Sequence, residues 1–286
     1  MSQKRKSTRR KIAVAGGASR TLRSGLHAFA VSFSIGLAAI GCSVSPRVSK
    51  TLPPSIVAPP SHPAGTASGF AACPQHFPGT PPTLAAPGLQ RELCFDAFAV
   101  LYSGESKTPV YTVERLTPSS LESAQGIKRS DRFYPEARLP AAYRAQLADY
   151  AGTGYDRGHM APAGDMPTAQ AKAQSFSLAN MVPQAPALNQ KAWNQIEQAI
   201  RKYALRAPGE VYVFTGPRYS AAPASLGANR VWVPAATWKL VHVPAEGRSW
   251  AYWMANDAGP HSLKPIDYAQ FLKRGGPALL AGELAH

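Results

Sequence analysis

Between residues 94 and 256 the apolar positions fall in short alternating or continuous runs bounded by Gly, Pro, Asp and Ser, the pattern of strands. CFDAFAVLYS (94–103) and PVYTVERL (109–116) predict two antiparallel strands joined through SGESKT. EVYVFTG, RVWVP, TWKLVHV and SWAYWMAN add four more between Glu210 and Asn256. Six runs rich in Val, Tyr, Trp and Phe predict one central antiparallel sheet. Helical spacing is rarer: LPAAYRAQLADY (139–150) and a short segment at 266–273 fit it. LNQKAWNQIEQAIRKY (188–203) fits best, with Trp193, Ile196, Ile200 and Tyr203 on one stripe. At about 100° per residue, Asn189, Glu197 and Arg201 project at roughly 0°, 80° and 120°, along one flank of that stripe. The fold class predicted is α+β, a central antiparallel β-sheet flanked by helices. No internal repeat is present.

The N-terminal pattern differs. Residues 26–41, LHAFAVSFSIGLAAIG, form an apolar run without Asp, Glu, Lys or Arg, preceded by a basic stretch and followed by small residues. That is the layout of a signal peptide, and the run is short for a spanning helix. AIGC before Ser43 loosely resembles a lipobox, making Cys42 a candidate for acylation. TRRKIA (8–13) loosely suggests a twin-arginine signal, and an uncleaved membrane anchor is the other alternative. Residues 43–69, rich in Pro and small residues and free of acid, read as a flexible tether. The folded domain is expected over 70–286, in an exported protein: periplasmic, extracellular or envelope-anchored.

Charge and cysteine usage refine this. Of 31 Lys and Arg, eight fall within residues 1–42, so the formal +15 shrinks to +7 for the remainder, 23 basic against 16 acidic residues. A balance of +7 favours a polyanionic partner, and it also fits simple solubility. With Cys42 removed or acylated, Cys73 and Cys94 are the only pair left for a disulfide; two buried free thiols are the alternative. Its loop of about twenty residues would stabilise the fold by roughly 3 kcal/mol.

Candidate chemistry centres on YDRGHMAPAGDM (155–166). The chain lacks GxSxG, HExxH, GxxxxGK[ST] and GxGxxG, so serine-hydrolase, zincin, P-loop and dinucleotide readings have no anchor. His159 has Arg157 two residues before it, Asp156 nearby, glycines at 154 and 158, and Pro162 beyond. An imidazole base, a cation for phosphate charge and a metal for the leaving oxygen are the parts a phosphodiester hydrolase needs. The bland reading of the Glu197–Arg201 pair is a solvated i, i+4 ion pair.

DRGHMAP (156–162), with SLANMVPQAPALNQKAWNQIE (177–197) about twenty residues on, resembles the DNA/RNA non-specific endonuclease family, the sugar-non-specific nucleases with a ββα-metal active site. TGPRY (215–219) and VWVPAATWKLV (231–241) resemble later core strands of that family, and the likeness runs from about Phe95 to Phe271. The resemblance implies a Mg²⁺-dependent enzyme, Mn²⁺ being the alternative ion, that cuts DNA and RNA to leave 5′-phosphate ends. It implies His159 as general base, Asn189 as the direct metal ligand and Glu197 as a carboxylate orienting the metal's waters. Arg157 and Arg201 match arginines that hold phosphate, and Asn180 an asparagine positioned beside the site. An upstream substrate arginine is implied as well, with Arg129 and Arg132 both eligible. The segment 266–276 lacks the acidic residue expected in the last helix. A catalytically silent nucleic-acid-binding protein on the same fold, or a structural module of the cell envelope, are the other readings; the presence of His159, Asn189 and Glu197 together argues against them.

Overall fold

The computed structural model describes residues 69–85 and 88–280. The run read as a signal peptide, Cys42 and all of the expected tether but Gly69 lie outside those residues.

Seven antiparallel strands form the central sheet, in the order β1 (Gln90–Cys94), β2 (Phe98–Ser103), β3 (Thr108–Leu116), β6 (Val211–Arg218), β9 (Ala236–Val243), β10 (Arg248–Ala255) and β11 (Ile266–Asp267). Two small sheets stand apart: β4 (Asp156–His159) with β5 (Met181–Gln184), and β7 (Ser225–Leu226) with β8 (Val231–Trp232). The helices are α1 (Pro118–Ser123), α2 (Leu147–Tyr150), α3 (Ala169–Gln174), α4 (Asn194–Ala204) and α5 (Tyr268–Lys273).

The predicted architecture holds, with three local corrections. The run at 94–103 is two strands, because Phe95 N–H donates to the Phe98 carbonyl at 2.9 Å and folds Cys94 back onto Ala99. RVWVP is outside the central sheet: Arg230, at φ 58°, closes a turn onto the Gly227 carbonyl, and Val231–Trp232 pairs with Ser225–Leu226. The stretch 139–150 is not one helix but a 3-10 turn, Ala141–Tyr143, and the four-residue α2. There the Asp149 carboxylate accepts from Gln146 N–H at 2.8 Å and from the Asn229 side chain, so it caps a new start and cannot sit inside a continuous helix.

Strand alternation gives the sheet two different faces. On one, Leu101, Tyr111, Val113, Phe214, Trp238, Leu240 and Ala251 pack with Phe271 of α5 and with Phe70, Cys73 and Phe77 of the N-terminal turns. Cys73 and Cys94 are joined as a disulfide there. On the other face Leu116, Val211, Val213, Val241 and Val243 receive Trp193, Ile196, Ile200 and Ala204 of the long helix. Phe98, Val100 and Tyr102 form a second apolar region on the same side, with Ala161, Met166 and Ala179. Between these two apolar regions the sheet is polar. Thr112, Thr215 and Lys239 are cross-strand partners in one row, and Glu114 and Thr237 flank it, all of them buried.

Candidate active site

The β4–β5 hairpin and the helix that follows make a ββα unit lying over the polar row. In its register Gly158 faces Val182 and His159 faces Met181. Position 158 excludes any larger residue: a Cβ there would sit 2.2 Å from Gln184 Oε1 and 2.6 Å from Gln184 Cβ, deep in the interior. The sheet is tied to the unit by three side-chain bridges. Lys239 Nζ donates to the Met160 carbonyl at 2.9 Å, Thr112 Oγ1 to Asn180 Oδ1 at 3.3 Å, and Gln184 Nε2 to Thr237 Oγ1 at 3.5 Å.

Asn180 is wholly committed to this scaffold. Its amide donates to the Ala161 and Ser175 carbonyls, both at 2.9 Å, and accepts from Ala161 N–H at 2.9 Å. With no exposed surface, it is placed to position the turn after His159 and does not line the cleft.

The cleft itself is lined by Arg129, Arg157, His159, Gly164, Asn189, Glu197 and Arg201, among others. His159 is buried between Phe176, at 4.9 Å between ring centres, and Phe133, at 5.7 Å. Each of those rings carries an arginine: Arg157 lies 4.2 Å from the Phe133 centroid and Arg129 lies 5.0 Å from Phe176. Burial first, and the charge of Arg129 second, push the imidazole pKa down to about 3. The ring is therefore neutral at pH 7. Its Nε2 is buried without a hydrogen-bond partner among the described residues. Of the two arginines left open by the sequence, Arg129 lines the cleft, whereas Arg132 is exposed and does not.

The long helix begins as a π-turn, Leu188–Trp193, before α4 takes over. A wider turn rotates Asn189 away from the angle that α-helical spacing assigns it, and such turns are frequent at functional sites. Asn189 Nδ2 donates to Asp156 Oδ2 at 2.9 Å, and Gln190 Nε2 donates to the same oxygen at 2.9 Å. With its NH₂ end held, Asn189 has a carbonyl oxygen that accepts no hydrogen bond among the described residues. Among the described residues no group of three or more His, Cys, Asp or Glu is placed to hold a metal, and this amide oxygen shares the cleft with the Glu197 carboxylate. A single neutral oxygen suits an ion that keeps most of its water shell.

Glu197 and Arg201 follow on α4, and among the described residues they are not joined in the ion pair of the bland reading. Arg201 is held by the buried Asp165 carboxylate instead. Its guanidinium lies against Gly164, where a Cβ would come within 2.6 Å of Nη2. Glu197 Oε1 is 4.0 Å from Lys239 Nζ. Burial raises the Glu197 pKa to about 7 despite the favourable charges of Lys239 and Arg201. Burial likewise raises Asp165, against the pull of Arg201.

Residues 78–272 match the profile of the DNA/RNA non-specific endonuclease family. The chain belongs to that family. It is accordingly an endonuclease, a hydrolase of nucleic-acid strands. It is 35% identical over 179 residues to Nuclease C1 of Cunninghamella echinulata var. echinulata, covering 58% of this chain and 71% of that protein. It is 33% identical over 172 residues to human mitochondrial Endonuclease G, covering 56% of this chain and 57% of that protein. A chain in the crystal structure of the EndoG/EndoGI complex superposes with a TM-score of 0.61 at 26% identity, covering 70% of this chain and 89% of that one.

Several residues of this endonuclease site carry no sequence signal of their own. Asp165, which holds Arg201, lies inside the quoted motif but looks like any loop acid. Lys239 and Glu114 sit in the middle of strands where a charged residue reads as solvent-facing. A lysine flanked by Trp238 and Leu240 is the one available clue, since both faces of a central strand are buried.

Proposed function

We propose that the chain is a Mg²⁺-dependent endonuclease, with Mn²⁺ as the alternative ion, that hydrolyses phosphodiester bonds of single- and double-stranded DNA and RNA to leave 5′-phosphate ends. One observation carries the reading: a histidine kept neutral by burial shares a cleft with three arginines and an amide whose oxygen is left open.

His159 takes the proton from the water that attacks phosphorus. A pKa of about 3 makes the free ring a weak base, and an arriving phosphate, bearing negative charge, raises it toward the range where proton transfer is efficient. Arg157, Arg129 and Arg201 hold the phosphate and oppose the charge that grows on its oxygens. Stacking on Phe133 and Phe176 and the ion pair with Asp165 fix these side chains in advance, so little reorganisation is needed during the reaction. Asn189 would hold the metal and Glu197 orient its water shell, a role that fits a carboxylate in the same cleft. When bound, the ion supplies Lewis-acid stabilisation for the departing 3′ oxygen. Arginines gripping phosphate read neither base nor sugar, which suits a substrate range spanning DNA and RNA.

Export from the cytoplasm belongs to the same proposal, supported by the Cys73–Cys94 disulfide. Membrane attachment through the N-terminal run remains part of it; among the described residues no helix is long and apolar enough to cross a membrane.

The full chain should degrade plasmid DNA and RNA with Mg²⁺ and stop with EDTA. His159→Ala should lose at least about 10³-fold in rate, in keeping with the loss of a general base, while still binding DNA. Wild-type rates in His159→Ala would sink the assignment. Binding without turnover in the wild type would favour the silent nucleic-acid-binding protein.

A further inference from the structure

Beyond Arg157 the catalytic cleft opens into a second basin. It shares Arg129, Arg157, Asn189 and Gln190 with the first and is completed by Phe133, Leu147, Tyr150, Ala151, Gly152, Tyr155 and Asp156. Its volume of about 490 Å³ is in the range of small-molecule sites. The two basins adjoin, and the arginines lie where they share a wall.

Three aromatic residues line the second basin, and two are already occupied. Phe133 has Arg157 over its ring and Phe176 against its edge. Tyr150 is buried, with 5% of its surface exposed. Tyr155 is half-exposed and, among the described residues, meets no other aromatic ring. Leu147 beside it is one of four large apolar side chains exposed among the described residues. A lone exposed leucine means little. Beside a phenol ring without an aromatic partner and two arginines, it adds an apolar side chain to a lining that also carries positive charge.

We infer that this basin is a nucleoside subsite for one nucleotide flanking the scissile phosphate, with Tyr155 stacking on its base and Leu147 bordering its sugar. The inference rests on the endonuclease reading and deepens it. A phosphate gripped at the junction by Arg157 and Arg129 places the neighbouring nucleoside over the basin. Every base has a π-face, so stacking on a phenol gives hold without reading sequence. Tyr155 thus adds affinity for nucleic acid to a site whose charged contacts would serve any phosphodiester.

The test uses the full chain with Mg²⁺ and thymidine tetranucleotides carrying one phosphodiester, the other linkages being methylphosphonates. Thymine is kept on both sides of that phosphodiester or replaced by an abasic sugar on one side. In the wild type, loss of the base on one side should raise KM about tenfold, within the range found for single base–aromatic stacks. Tyr155→Leu and Tyr155→Ala should raise KM for the complete substrate by a similar factor and abolish the difference between complete and abasic substrates. Tyr155→Phe should retain it. Melting temperatures equal to wild type establish that each variant folds. Effects of Tyr155→Ala and the abasic sugar that multiply instead of overlapping, or a wild-type KM in Tyr155→Leu, would overturn the subsite. A wild type that cleaves none of these substrates and no polymeric DNA would overturn the endonuclease reading itself.

Discussion

Trp238 and Lys239 are neighbours in β9 and both are about 1% exposed, yet they serve opposite ends. Trp238 points into the apolar face of the sheet, against the ring of Phe271 at 5.2 Å, with its indole N–H satisfied by the Pro217 carbonyl at 3.1 Å. Lys239 points into the polar row, bonded to Met160 and Thr215 and lying 5.2 Å from the Trp193 ring. The first face contains side chains that gain by leaving water. The second buries Glu114, Asp165 and Lys239 and half-buries Glu197, groups whose burial is unfavourable unless they are paired. Both sides of the sheet carry apolar packing, but the polar row and the cleft lie on one side alone, so substitutions at Trp238 and within the row should have opposite signatures.

The largest effect on stability belongs to the apolar face. Trp238→Ala should lower unfolding free energy by about 3–5 kcal/mol, because a large ring is removed from a packed interior and the surrounding strands cannot collapse to fill the space. A fold of ordinary stability survives this at low temperature. Rate per folded molecule, measured there, should stay within a few-fold of wild type. A drop of several orders of magnitude in a protein that remains folded would show that the two faces are not separable.

How much of this was legible beforehand follows the same division. Apolar alternation identified the central sheet, and a 3-4-3 spacing identified the long helix, because both elements bury a continuous apolar stripe. Alternation failed at β8, where a turn at Arg230 decided the pairing, and helical spacing failed at 139–150, where the Asp149 side chain competed with the helix. At the site, His159, Arg157, Asn189, Glu197 and Arg201 were named from the family resemblance that their motifs carry, and the structure brings all five to one cleft. Their supports were not named. Asp165, Gln184 and Lys239 all lie inside the quoted stretches, yet only the folded chain shows that they brace Arg201, Thr237 and the Met160 carbonyl. The π-turn at Asn189 was equally hidden, since apolar spacing is too coarse to register one widened turn.

The disulfide sits on the apolar side and provides the next effect in size. It closes 21 residues between Cys73 and Cys94 and ties the Phe70–Phe77 turns to β1. In the chain-entropy picture its removal costs about 3 kcal/mol. For a domain of this size that is roughly 6–12 °C in melting temperature. Calorimetry with and without reductant measures the shift. Cleavage rate at 25 °C should be unchanged by reduction, because no cysteine lines the cleft. Two free thiols found by mass spectrometry in the purified protein would remove this prediction.

The smallest effect has the most telling sign. The Glu197 pKa is raised to about 7 by burial, above its ordinary value near 4.5. Between those values the folded protein binds more protons at this site than the unfolded chain does. Stability therefore falls as pH rises from about 4.5 to 7, and the penalty is fully present above pH 7. Glu197→Gln removes a buried charge while keeping the shape, so it should stabilise the protein by about 2–3 kcal/mol at pH 8 and by almost nothing at pH 4. Unfolding by urea at the two pH values gives both numbers. The same substitution should lower the cleavage rate by about a hundredfold, the size expected when a group supporting a metal ligand is lost. Gain in stability paired with loss of activity is what distinguishes a residue kept for chemistry from one kept for packing. A Glu197→Gln variant less stable than wild type at pH 8 would place Glu197 with Trp238, among the residues that hold the fold, and its approach to Lys239 at 4.0 Å would then be a structural ion pair.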